Sequence, residues 1–250
     1  MAKQGKAGRE AERRAVLDQI RRDEQRAERR RTWAIIGACA LVGLVIIGLG
    51  AYPLIQDKLT ADKLEATDLS SIGADAEAAG CQPVRTAKAT GSAVHKPEGE
   101  KLFYPDAPPA SGPHFAVAAP MERKFYTSED RPELGYLVHN LEHGYNVLWY
   151  DETVADDEDL LADVEAIAGK FPGTSTLENK FIAAPWTAED GEAFPDEAHV
   201  ALTHWSLGGT NGNPEGQQSI WQFCAAPSGE AVAEFVKDYP YSDSPEPNAA

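Results

Sequence analysis

Neither G-x-S-x-G nor C-x-x-C occurs in these 250 residues, and no segment repeats. The first absence removes the nucleophile elbow of a hydrolase. The second removes the paired thiolates of a closed zinc site. Sulfur is scarce: three cysteines and two methionines. Cys39 lies inside an apolar run, where it packs in lipid, and its early place in that run argues against a lipidation site. Basic charge is scarce after residue 32. Eleven of 23 Lys and Arg, but only six of 40 Asp and Glu, precede that point, which leaves a net of −22 beyond it. Such a surface excludes nucleic-acid binding and favours solubility and cationic partners, metal ions or a basic protein face.

What the chain does have is one long apolar run. Trp33 to Ile55 is 23 residues without a charge. At about 1.5 Å per residue a helix of that length crosses a hydrocarbon core of roughly 30 Å. Arg29, Arg30 and Arg31 abut it, so the N-terminus is expected inside and the rest outside. The run is too long for a signal peptide and no A-x-A-like site follows, which predicts an uncleaved single-pass anchor in the cell membrane. The basic arm 1–32 is rich in helix formers and is expected to extend the membrane helix and touch anionic lipid headgroups.

Residues 56–80, polar and rich in Ala and Asp, read as a stalk, 81–241 as one extracytoplasmic domain, and 242–250 as a disordered tail. Cys81 and Cys224 are the two outer cysteines, and an oxidising compartment predicts a bridge between them. Residues 81–133 are proline-rich and expected to wrap a core rather than form one. Residues 145–150 predict a buried strand, 156–170 an amphipathic helix, 180–185 and 199–207 two more strands, 219–224 a helical turn and 230–239 a terminal helix. The strand–helix–strand order implies one parallel crossover with an antiparallel strand added, and the class is α+β.

The chemistry centres on His139-Asn140-Leu141-Glu142-His143-Gly144. Two imidazoles four apart share a helix face and can chelate one ion, whereas on a strand they stand about 13 Å apart. Gly144 is a helix stop, so the pair is expected in the last turn of a short helix packing Leu134, Leu137, Val138 and Leu141. The hexamer also matches H-x-x-E-H, but glycine ends the helix at once, unlike the mid-helix peptidase motif. His114 follows a stiff Pro108-Pro109-Ala110-Ser111-Gly112-Pro113 turn. The expectation is that His114, His139 and His143 converge, with His95 a fourth member and Glu142 an outer group orienting an imidazole. A nitrogen-rich set suits copper(II) or zinc, while copper(I) wants more sulfur than the nearby Met121. His199 reads as a surface residue and His204 as a core hydrogen-bonder.

The turn ending in His114 and the hexamer leading into 145–150 resemble a bacterial domain-of-unknown-function family of single-pass envelope proteins. Its pattern is a basic arm, one membrane helix, Pro-Pro-x-x-Gly-x-His and His-Ser-Leu-Glu-His-Gly. The resemblance covers roughly residues 94–239 and implies topology and domain extent, not a reaction. Asn140 stands where the family has serine, and 121–126 lacks the Trp and Cys-Gly of many relatives, so no cysteine chemistry is implied. Two functional classes stay open: a membrane-tethered copper or zinc site, or a non-catalytic accessory subunit of a larger membrane complex such as a respiratory assembly.

Overall fold

The computed structural model describes residues 2–195, 197–209 and 214–249, with the main chain alone for 2–16, 53–57, 59–62 and 214. The chain divides into two compact units, Met1–Asp62 and Lys63–Ala250. The first belongs to a single helix, α1 (Ala2–Ala66). Its stretch Leu17–Tyr52 is long and apolar enough to cross a membrane, and none of its most apolar window is buried against protein. Exposed Leu41, Leu44, Val45, Ile46 and Ile47 face outward on it, as a helix solvated by lipid requires. The protein thus carries one N-terminal helix compatible with a single-pass membrane anchor.

The second unit is a mixed sheet with flanking helices. In chain order its elements are β1 (Arg85–Lys88), β2 (His95–Lys96), β3 (His114–Phe115), α2 (Leu134–Glu142), β4 (Asn146–Tyr150), α3 (Glu152–Ala155), α4 (Glu158–Gly169), β5 (Phe181–Pro185), β6 (Val200–Ser206), β7 (Gln218–Cys224) and α5 (Gly229–Asp238). The main sheet runs β1-β7-β6-β4-β5, and β2 pairs with β3 separately. Strands β4 and β5 are parallel, joined through α4, while β6 is antiparallel to both β4 and β7. This is the expected α+β architecture.

Strand alternation sends side chains to two cores. Val147, Trp149, Ala201, Trp205 and Trp221 pack with Leu137, Val138 and Leu141 of α2. Leu148, Tyr150, Leu202 and Ile220 pack with Val164 and Ile167 of α4 and with Val232 and Phe235 of α5. With both faces covered, the central strands read as apolar runs without polar alternation. That explains one correction: residues 219–224, expected as a helical turn, form most of β7. Ile220 and Cys224 enter one core while Trp221 and Phe223 enter the other, a period of two.

Two boundaries also move. Much of the expected stalk is packed: Ile72 and Ala79 are buried, Gly229 N–H donates to Ile72 O, and Ala225 N–H donates to Ala79 O. The sulfurs of Cys81 and Cys224, 2.09 Å apart, tie this segment to the end of β7. The expected disordered tail lies against the domain through residue 249. Ser244 is fully buried, Asp243 accepts from Ser206 Oγ, and Glu246 N–H donates to Glu142 O.

The reason the tail packs is Lys180, which is 2 % exposed. Its ammonium donates to the carbonyls of His143, Pro247 and Ala249, and the rings of Tyr145 and Tyr241 flank it. A buried cation needs such oxygens in place of water. Desolvation lowers Lys180 to about 8, and Lys124, bonded to Asn179 O, is likewise lowered to about 8. A depressed lysine is neutral in the fold while still protonated in the unfolded chain, so stability must rise with pH above the folded value. We expect unfolding free energy to climb between pH 8 and 9.5, by roughly 1 kcal/mol per pH unit for each lysine. Lys180→Met should remove about half of that slope in a denaturant series across this window. An unchanged slope would mean that Lys180 is not the titrating group.

A candidate metal centre of three histidines and a buried glutamate

Helix α2 arises where expected. Leu137, Val138 and Leu141 are fully buried at helical spacing, and the face beside them carries His139, Glu142 and His143. The helix stops at Gly144, which adopts φ 91° and donates its N–H to Leu141 O. A side chain there would strike the Tyr241 carbonyl, so both the backbone angle and the space demand glycine. Asn140, fully buried, clamps the chain after β3: its amide accepts from Ala119 N–H and donates to Ala119 O, each at 2.9 Å.

The other two imidazoles arrive on the small ribbon. Strands β2 and β3 are parallel, and their register sets His95 opposite His114. Residues in register on one face stand side by side, and the two ring centroids are 4.9 Å apart. The turn before β3 is built to aim His114. Gly112 has φ 150°, and a Cβ there would meet the Tyr104 ring at 2.7 Å. Tyr104 OH donates to Pro113 O, and Ser111 Oγ accepts from Thr90 N–H and lies 2.6 Å from Ser219 Oγ.

Ligand atoms of His95, His114 and His139 lie within 4.8 Å of one another, so these three could hold a metal ion. A tetrahedral ion wants roughly 3.3 Å between donors, a contraction within the reach of small side-chain rotations. His143 adjoins this trio: its Nε2 is 2.8 Å from His139 Nε2 and 3.5 Å from the Glu246 carboxylate. The convergent trio therefore contains His95, expected only as a fourth member, and places His143 beside it. Glu142 adjoins two of the three: its Oε2 is 2.8 Å from His114 Nε2 and 3.9 Å from His95 Nε2.

The hydrogen bonds define the tautomers. His114 Nδ1 faces Gly112 O at 2.8 Å, and His139 Nδ1 faces Phe115 O. A carbonyl only accepts, so both Nδ1 atoms carry protons and both Nε2 atoms keep lone pairs when neutral. Burial lowers the His139 value, against the opposing pull of Phe115 O, and so favours that neutral form. For Glu142, burial raises the carboxyl, but His114, the Ala93 N–H and the His139 ring outweigh it and hold it below the ordinary value. The Glu142 carboxylate thus faces His114 Nε2 at 2.8 Å, an ion-pair distance when that ring carries a second proton. Neither His114 Nε2 nor Glu142 Oε2 has a hydrogen-bond partner, although both are buried. With the ring neutral these two acceptors repel, so the contact calls for a proton or, with the atoms slightly further apart, a metal ion.

The remaining histidines stand apart. His199 is half-exposed and bonds Asp151 Oδ2 through Nδ1 at 2.8 Å. His204 is buried and bonds Asp243 O at 2.8 Å. The anchors Gly112 O and Phe115 O escape sequence reasoning because main-chain carbonyls carry no residue signature. The i, i+3 spacing of His139 and Glu142 was the available signal for the carboxylate.

Fold and site together define an α+β domain with a buried histidine–carboxylate cluster, preceded by one long apolar helix. The chain belongs to the family described as protein of unknown function (DUF3105), whose profile matches residues 95–250. That span takes in all four clustered histidines and Glu142. No curated protein and no solved structure matches the chain.

Proposed function

We propose that this protein is a membrane-anchored, extracytoplasmic metal-binding domain that handles copper or zinc at His95, His114 and His139. The observation that carries the reading is the convergence of His95, His114 and His139, whose ligand atoms lie within 4.8 Å of one another. It is supported by the main-chain carbonyls that hold two imidazoles by Nδ1, the arrangement that orients metal-binding histidines. Imidazole suits zinc and copper, and an acidic surface concentrates cations. His95, with a side chain 43 % exposed, gives an ion a way in from solvent. The basic arm argues for a cytoplasmic N-terminus, and the Cys81–Cys224 bridge suits an oxidising outer compartment.

Elemental analysis of the full-length chain purified from membranes tests the metal: about one copper or zinc per chain is expected, and a chain that neither carries nor takes up either ion would refute it. Single cysteines engineered into intact cells test the orientation. An impermeant thiol reagent should label the domain and spare the arm, and the opposite pattern would overturn the topology.

A second reading, an accessory subunit of a larger membrane complex, has one observation in its favour. A groove of about 630 Å³ is lined by Leu102, Phe103, Tyr104, Phe115 and Leu134 among acidic residues, and Phe103 is 76 % exposed. Exposed aromatics beside a groove are where partners dock. The two readings are compatible, since a metal can serve a subunit.

A further inference from the structure

We propose that Glu142 is itself a metal ligand, so that the centre is a three-histidine, one-carboxylate set for a divalent cation rather than an all-imidazole site. The inference rests on the metal-binding reading and narrows it: zinc, cobalt(II), iron(II) or copper(II) fit, and copper(I) does not.

Three observations lead there. First, Glu142 is 1 % exposed and its Oε2 is unpartnered while lying 2.8 Å from His114 Nε2 and 3.9 Å from His95 Nε2. A carboxylate that only oriented an imidazole would accept a ring N–H. The Nδ1 protons of His114 and His139 already go to Gly112 O and Phe115 O. Second, the other oxygen is held in place: Oε1 accepts from Ala93 N–H at 2.9 Å. A carboxylate with one oxygen tied to the main chain and the other aimed at two imidazole Nε2 atoms is arranged for one-oxygen coordination. Glu142 and His114 then follow a single plan, with one polar atom anchored to backbone and one turned into the cluster, while His139 Nε2 also lies 2.8 Å from His143 Nε2. Third, the anchor is strained. Ala93 adopts φ 56°, the left-handed region that side chains other than glycine rarely occupy. Its N–H reaches Glu142 from that conformation, and Ala93 lies two residues before His95. Strain of this kind persists where the surroundings enforce it, most often at binding sites.

The chemistry follows from the donor set. Three neutral nitrogens and one anionic oxygen leave a divalent ion with a residual charge of about +1, tolerable at a half-open site. Hard carboxylate oxygen favours divalent ions, while copper(I) prefers thioether and thiolate. Removing the carboxylate should therefore change selectivity as well as affinity.

The test compares full-length wild type with Glu142→Gln and Glu142→Asp in detergent, titrated with zinc, cobalt(II) and, anaerobically, copper(I). For Glu142→Gln we expect at least tenfold weaker binding of zinc and cobalt, little change for copper(I), and a shifted cobalt d–d spectrum. Glu142→Asp keeps the charge but withdraws it by one methylene, so it should also shift the cobalt spectrum, even if the glutamine variant folds poorly. A cobalt spectrum unchanged in both variants, with all ions weakened in proportion, would place Glu142 outside the coordination sphere and overturn this proposal, leaving the histidine site standing. Failure of the wild type to bind any of these ions would overturn both readings.

Discussion

Zinc at about 1,000 times its dissociation constant should raise the unfolding free energy of the wild-type chain by about 4 kcal/mol, because only the folded state assembles the site. In His114→Ala we expect affinity to fall roughly 100-fold, and the same zinc concentration should then add only about 1.4 kcal/mol. His114 is the variant of choice because it is fully buried, its Nδ1 is anchored, and its Nε2 faces Glu142. Losing a buried ring also costs stability without metal, so each variant is compared with itself, with and without zinc. Equal increments in the two proteins would put the zinc elsewhere. Ligands must be neutral, so occupancy should fall as acid protonates the imidazoles, and burial, which lowers His139, moves that loss to more acidic pH. The double variant His139→Ala, His143→Ala makes the complementary case. If zinc and copper affinity survive it while stability falls, the cluster is structural and the interaction-subunit reading takes precedence.

Breaking the Cys81–Cys224 bridge should destabilise the α+β domain by about 5 kcal/mol in the loop-entropy model. The bridge spans 143 residues of sequence, about three quarters of the Lys63–Ala250 unit, so the unfolded chain gains much freedom when it opens. Cys224 is 2 % exposed, so a serine there also buries a hydroxyl in an apolar core. Cys81→Ser avoids that second cost and isolates the chain term. We expect a large drop in denaturant midpoint for Cys81→Ser and a larger one for Cys224→Ser. Hydrogen exchange should quicken first in residues 73–88. Strand β1 is exposed along its length and pairs only with β7, and the preceding segment is held by backbone bonds from Ala225 to Ala79 and from Gln82 to Phe223. Equal stability of oxidised wild type and Cys81→Ser would show that these bonds, not the covalent link, hold the segment.

How far the fold could be read depended on how local the signal was. The amphipathic pattern at 156–170 predicted α4 because Val164 and Ile167 face one core while the acids at its start remain in solvent. Strands β4, β5 and β6 were legible as apolar runs of strand length between turn residues. Strand β7 was not, because Gln222 interrupts an apolar run that feeds both cores and has neither a helical stripe nor a polar face. The segment after 240 has the composition of a tail. It is ordered by Lys180, 60 residues earlier or more, whose ammonium requires its carbonyls.

The candidate site divides in the same way. From sequence alone come the apolar helix, the basic-to-acidic change along the chain, the α+β class, the pairing of Cys81 with Cys224 and the shared face of His139 and His143. All of these rest on composition or on spacings within two helical turns, which the geometry of one helix or strand dictates. Only the tertiary structure decided that His95 joins His114 and His139. That contact depends on the register of two short strands 19 residues apart in sequence, and nothing in either strand encodes the register. Only the tertiary structure turned Glu142 inward, because its partners are the Ala93 N–H, 49 residues away, and the His114 ring. The reason is that local periodicity is fixed by covalent geometry, whereas the meeting of lone pairs in a buried space depends on how the whole chain packs.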